Sequence, residues 1–202
     1  AAGNAGVINI RLKKNKSMGT NGSLTAGYNQ GVYGKYNAGL SLNHRTVRLN
    51  LFGNISYNDA SLQKAMRMVR QLTDSVFHQS GTMKESSKTF NIKAGFDVFI
   101  NKQNTVGLLV NGNYGSSALA NNSYTTIAPT GAAPSRILKA DNRFRSNRDH
   151  LDLNLNYLYS GKEGRTFSVN ADYGYYNMAG VQFQPNAYYD GKGKTLLNTI
   201  TY

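Results

Sequence analysis

The 202-residue chain has no cysteine and no tryptophan, and only 16% of its residues are charged, against roughly 25% in an ordinary soluble domain. Each shortage excludes something. Without a thiol there is no disulfide scaffold, no cysteine nucleophile and no zinc finger. No run of about 18 apolar residues occurs, so a transmembrane helix is excluded. The 21 glycines have no period of three, so the chain is not collagenous. Acidic groups are scarce as well, 10 against 23 basic ones, and the formal charge of +13 invites a nucleic-acid reading. Asparagine, glycine and tyrosine fill the gap. With 40% hydrophobic and 11% aromatic residues, the chain has enough apolar surface to fold.

Alternation of apolar and polar residues dominates what is present. Seven runs show it. Leu24, Ala26 and Tyr28 share one face in the first run, and Tyr36, Ala38, Leu40 and Leu42 in the second. The third places Val47, Leu49, Leu51, Ile55 and Tyr57 together; the fourth, Phe90, Ile92, Ala94, Phe96, Val98 and Ile100. Val106, Leu108, Val110 and Tyr114 form the fifth, Leu151, Leu153, Leu155, Tyr157 and Tyr159 the sixth, and Phe167, Val169, Ala171, Tyr173 and Tyr175 the seventh. None of these faces carries a charge, while the opposite faces carry Asn, Ser, Gly and occasional Lys, Arg or Asp. The runs exceed the 5–6 residues of a typical soluble strand and approach the ~9–11 that a tilted strand needs to cross a bilayer.

The connections alternate between short and long. Short ones fall at His44–Thr46, 101–104 and 160–165, and long loops of about thirty residues are expected near 58–88 and 116–148. Sorting loops by side is the layout of an outer-membrane barrel. Aromatic residues gather at both ends of the apolar faces, as in the two girdles of such a barrel. The expected fold is therefore all-β, an antiparallel transmembrane β-barrel present as a partial barrel of about seven strands. A strand in lipid must pair every backbone group, so the sheet must close, and single-chain bacterial barrels have even strand numbers. The chain is accordingly expected to be a fragment. A soluble glycan-binding β-sandwich is the alternative outside the membrane.

Gly3-Asn4-Ala5-Gly6-Val7-Ile8-Asn9-Ile10-Arg11-Leu12-Lys13-Lys14 resembles the last strand of the plug domain in TonB-dependent outer-membrane receptors, in the spelling common among Bacteroidota. The spelling departs from that of glycan importers of the SusC type. The resemblance implies residues 1–18 as the end of the plug and its linker, and 19–202 as the first part of a barrel of 22 strands. It further implies a location in the bacterial outer membrane, binding of a ligand outside, and import energised by TonB through a plug lying upstream. Outer-membrane lipid, lipopolysaccharide and a surface lipoprotein are the other partners expected. A barrel of the same build with a structural, adhesive or docking role and no transport is the second alternative.

Nothing in the sequence suggests catalysis or a cofactor. His44, His78 and His150 have no metal spacing, no paired carboxylates mark a cleft, and Gly193-Lys194-Thr195 lacks the earlier glycine of a phosphate loop. Two groups of residues are candidates for binding. Lys35, Arg48, Lys93, Asp97, Asp152 and Asp172 lie on the polar faces and would meet the lumen, the plug or each other. Arg136, Lys139, Arg143, Arg145 and Arg148 stand against Asp141 alone in the second long loop. They would meet an anionic ligand by electrostatic steering, or lipopolysaccharide phosphates. Nucleic acid is not an expected partner. Leu62, Ala65, Met66, Val69, Leu72 and Val76 fall at helical spacing, so a short amphipathic helix or a stripe packed on the barrel rim is expected there.

Overall fold

A computed structural model describes residues 18–202. The expected end of the plug and its linker, residues 1–18, falls outside the described residues apart from Met18. The rest is all-β: 83% of the described residues lie in strands and none in an α-helix. The strands are β1 (Gly19–Gln30), β2 (Gly34–Arg45), β3 (Leu49–Gln71), β4 (Ser75–Phe99), β5 (Asn104–Pro129), β6 (Arg136–Ser160), β7 (Thr166–Phe183), β8 (Pro185–Asp190) and β9 (Leu196–Thr201). All pairings are antiparallel and follow chain order from β1 to β6. The lower part of β6 pairs β7, its upper part pairs β8, and β8 pairs β9. Pro185 has no N–H to give the ladder and separates β7 from β8, which otherwise run along β6 as one line. The single sheet does not close on itself.

Side chains and backbone carry the tight turns. Thr46 Oγ1 accepts the N–H of Leu49 at 3.0 Å, and Asn101 Oδ1 accepts those of Gln103 and Asn104, both at 2.9 Å, as short polar residues do in turns. After β6 a single 3-10 turn, Lys162–Gly164, ends on Gly164 at φ 76°, where a side chain would be strained.

Three expectations are corrected here. Segments 58–88 and 116–148 are not loops: the β3–β4 and β5–β6 ladders run on through them, leaving only residues 72–74 and 130–135 as connections. The stretch around Leu62–Val76 is not helical. Its Gln, Lys, Ala, Arg and Met favour helix in isolation, but pairing with Ser75–Lys88 satisfies every second backbone group, and tertiary context overrides propensity. The strands number nine where about seven were expected, because Pro185–Asp190 and Leu196–Thr201 follow the seventh run as two further short strands.

Register is where the alternation acquires meaning. Cross-strand partners share a face, and one row reads Leu24, Leu40, Ile55, Ile92, Gly112, Leu151, Tyr175 from β1 to β7. The next reads Gly22, Leu42, Gly53, Ala94, Val110, Leu153, Tyr173. All seven apolar stripes therefore lie on one side of one sheet, in step. A slip of one residue in any strand would have put its stripe on the other side.

Among the described residues nothing packs on this apolar face. Leu24 is 79% exposed and Phe167 58%. Among the described residues only Gly107, Gly112, Thr125, Ala128, Ile137 and Ala140 are buried. The whole chain exposes 14836 Å², against about 9,400 Å² for a compact monomer of its mass.

Candidate functional site

The polar side of the lower sheet is an asparagine–aspartate surface. Its central rows read Ser41, Asn54, Lys93, Asn111, Asp152 and Gly39, Ser56, Asn91, Asn113, His150. Side-chain amides tie neighbouring strands together. Asn50 Nδ2 donates to Asp97 Oδ2 at 3.1 Å, Asn111 Nδ2 to Asp152 Oδ2 at 3.2 Å, and Asn154 Nδ2 to Asp172 Oδ1 at 2.6 Å. His150 Nε2 approaches Asp152 Oδ1 at 2.9 Å, and its ring meets the edge of Tyr176. Asn113 donates to Asn91, which donates to Ser56. Each carboxylate is thus held by an amide from the adjacent strand.

The sequence-derived polar set divides on this surface. Lys93 and Asp152 share a row, two strands apart with Asn111 between them. Asp97 and Asp172 have the amide partners just given. Lys35 lies on the same side, opposite Asn29 and Ala60 and toward the upper end of β2. Arg48 is not on a strand but in the turn 46–48, where its carbonyl accepts the Phe99 N–H. Thr46 caps that turn, which falls two residues beyond the short connection expected at His44–Thr46. The amide–carboxylate pairs were also missed, because they depend on register between strands.

Arg136, Lys139, Arg143, Arg145 and Arg148 all lie on β6, not in a loop, and pleating divides them between the two faces. Lys139, Arg143 and Arg145 share the side of the apolar stripes, above the row of Tyr57, Phe90 and Tyr114. Arg136 and Arg148 take the other side. Arg143 bonds Asp141 through Nε at 3.2 Å and Nη2 at 2.7 Å, and this pairing raises its pKa. Lys139 Nζ stands 4.5 Å from the ring centre of Tyr189. The five do not form one patch.

His44 bonds Thr20 through Nδ1 at 2.7 Å at the end of β2, and His78 lies within β4. The three histidines are not brought together. Among the described residues no cluster of three or more His, Asp or Glu could hold a metal.

The β8–β9 turn holds one perturbed carboxylate. Asp190 Oδ1 accepts the Lys194 N–H at 2.8 Å. That bond, with further help from Thr195 and Gly193, holds the Asp190 pKa below its ordinary value against some desolvation. A carboxyl whose pKa is lower folded than unfolded contributes stability above the unfolded pKa and loses it as pH falls through the folded one. The hairpin is therefore expected to keep its turn down to the ordinary carboxylate range and loosen only below it. Hydrogen exchange of the Lys194 amide measures this, and Asp190→Asn should flatten the dependence. Loosening near pH 6 would contradict the assignment.

These observations define a class: an all-β protein whose single antiparallel sheet is apolar and uncovered on one side and amide-rich on the other. No protein-family model matches the chain, and the comparison with curated proteins finds no similar one.

Proposed function

We propose that this chain is part of the wall of an outer-membrane β-barrel of the TonB-dependent receptor type, which binds a ligand outside and imports it. The observation that carries the proposal is the uncovered apolar face, seven strands wide and in register. Monomeric soluble proteins rarely expose contiguous apolar patches beyond a few hundred Å². Lipid is a natural cover for one of nine to eleven residues per strand, bounded by aromatic side chains.

The slant of the band adds support. Its upper edge is Tyr28–Tyr36 on β1 and β2, one row lower at Tyr57–Phe90–Tyr114 on β3 to β5, and a further row lower at Tyr175 on β7. Two rows over six strand steps is roughly 13 Å in 29 Å, an inclination of about 25°. A flat slab crossing tilted strands gives such a staircase, and barrel strands tilt in the membrane. A shallow groove of ≈ 410 Å³ over Gly53 and Ala94, walled by Leu42, Leu51, Ile55 and Leu108, would take an acyl chain. The polar side then faces the lumen. Above the band, Arg145, Arg143 and Lys139 point toward the sugar-phosphate layer of lipopolysaccharide.

Closing the sheet requires more strands than the nine seen here. The reading of a receptor with a plug rests on the resemblance of Gly3–Lys14. It assigns no catalysis to the chain.

Membrane association tests the proposal. The protein is expected to float with lipid vesicles in a density gradient, to resist extraction by alkaline carbonate and to need detergent for solubility. A monomer that stays soluble without detergent would overturn it.

A further inference from the structure

The two sides of the sheet exchange character above the aromatic row. On the side of the apolar stripes the rows become Asp59, Lys88, Ser116, Asn147 and then Gln63, Lys84, Ala120, Arg143. On the amide-rich side the opposite happens. Leu62, Leu119 and Phe144 enter one row with Glu85, and Met68, Thr125 and Leu138 enter another with Gln79. The upper sheet is thus polar where the lower sheet is apolar, and its inner side is the more apolar one. Lipid has no reason to select that inner side.

A groove of ≈ 330 Å³ lies on it, a volume in the range of small-molecule sites. Met68, Phe77 and Leu138 supply the apolar walls, and Thr125, only 6% exposed, lies between them. The two ends are polar and different. Arg70 stands at one end, and among the described residues it has no ion-pair partner. Asn142 stands at the other, with its Oδ1 buried and, among the described residues, without a hydrogen-bond partner. A buried acceptor gains when a donor reaches it, and a ligand hydroxyl would supply one. The rows of Arg70 and Asn142 are six residues apart along the strands, roughly 20 Å, and the arginine side chain shortens the gap.

We propose that this groove binds an elongated apolar molecule with a carboxylate at one end and a hydroxyl at the other. The carboxylate pairs with Arg70, the chain lies on Met68, Phe77 and Leu138, and the hydroxyl donates to Asn142 Oδ1. The inference deepens the proposed function by naming the ligand class at the outer mouth, and rests on it only in placing the upper sheet in water.

The test uses the full-length protein held in amphipol, titrated calorimetrically with 12-hydroxydodecanoate against an empty-amphipol blank. Saturable one-to-one binding is expected, at least tenfold tighter than for 1,12-dodecanediol. Arg70→Gln, a change at an exposed side chain, should bring the acid to the level of the diol. Asn142→Leu should abolish the preference for 12-hydroxydodecanoate over dodecanoate while leaving dodecanoate binding intact. Equal binding of acid and diol, an Arg70→Gln variant that binds as wild type does, or uptake that never saturates would each overturn the proposal. Vesicle flotation separates the two readings. Protein that floats but does not discriminate acid from diol overturns the groove alone, and protein that discriminates but does not float overturns the barrel alone.

Discussion

Leu108→Arg and Leu153→Arg are each expected to destabilise the protein in lipid by about 2–4 kcal/mol, the cost of a basic residue near mid-bilayer on the lipid side of a barrel. Both lie inside the apolar band, in rows flanked by Phe96 and Leu155 and by Val110 and Tyr173. A guanidinium there has no partner within a strand or two. Asn111→Arg and Asn154→Arg, a few residues away on the other face, should cost much less. Each replaces an amide that already donates to a carboxylate, Asp152 or Asp172, with a group that can do the same. Denaturant unfolding in lipid vesicles reads all four. Equal costs on both faces would contradict the assignment of sides.

Gly95→Val should be the costliest small substitution on the polar side. A Cβ at Gly95 would stand 2.6 Å from Phe52 Cζ and 2.7 Å from the Leu108 carbonyl oxygen. The Phe52 ring covers its cross-strand glycine, a known way of filling the space that glycine leaves in a sheet. Overpacking of this kind costs about 1–3 kcal/mol. Phe52→Ala should relieve part of the cost and not all, because the carbonyl is backbone and cannot move aside. The two substitutions are therefore expected to couple in a double-mutant cycle. Additive effects would show that the ring does not occupy the space above Gly95.

The lower sheet was legible in the sequence because its two faces differ so strongly. Leu, Ile, Val and Tyr at every second position alternate with Asn and Ser, and the period of two then fixes each face within its strand. The upper sheet was not legible for the same reason inverted. Over 58–71 and 75–88 both faces are mixed, with Met66 and Met68 inside and Val69 outside, so no period stands out. The helix-favouring composition of Ser61–Gln71 pointed the wrong way. Strand pairing there is settled by the partner strand, which a single segment does not contain. The binding residues suffered a related loss. Sequence grouped the five β6 cations by proximity along the chain, and pleating sends Arg136 and Arg148 to one side and Lys139, Arg143 and Arg145 to the other. Arg70 and Asn142 were not singled out at all, since they converge only through three pairings from β3 to β6.

This chain has no cysteine, so introduced single cysteines can report which face of a strand meets lipid. Single cysteines placed from Val106 to Asn113 in the full-length protein, spin-labelled in lipid vesicles, report oxygen access from the bilayer and nickel-chelate access from water. A membrane wall gives a strict period of two. Labels at 106, 108, 110 and 112 should see oxygen, and labels at 107, 109, 111 and 113 the chelate. Chelate access at all eight positions would mean that water covers both faces, and the sheet would not be a membrane wall.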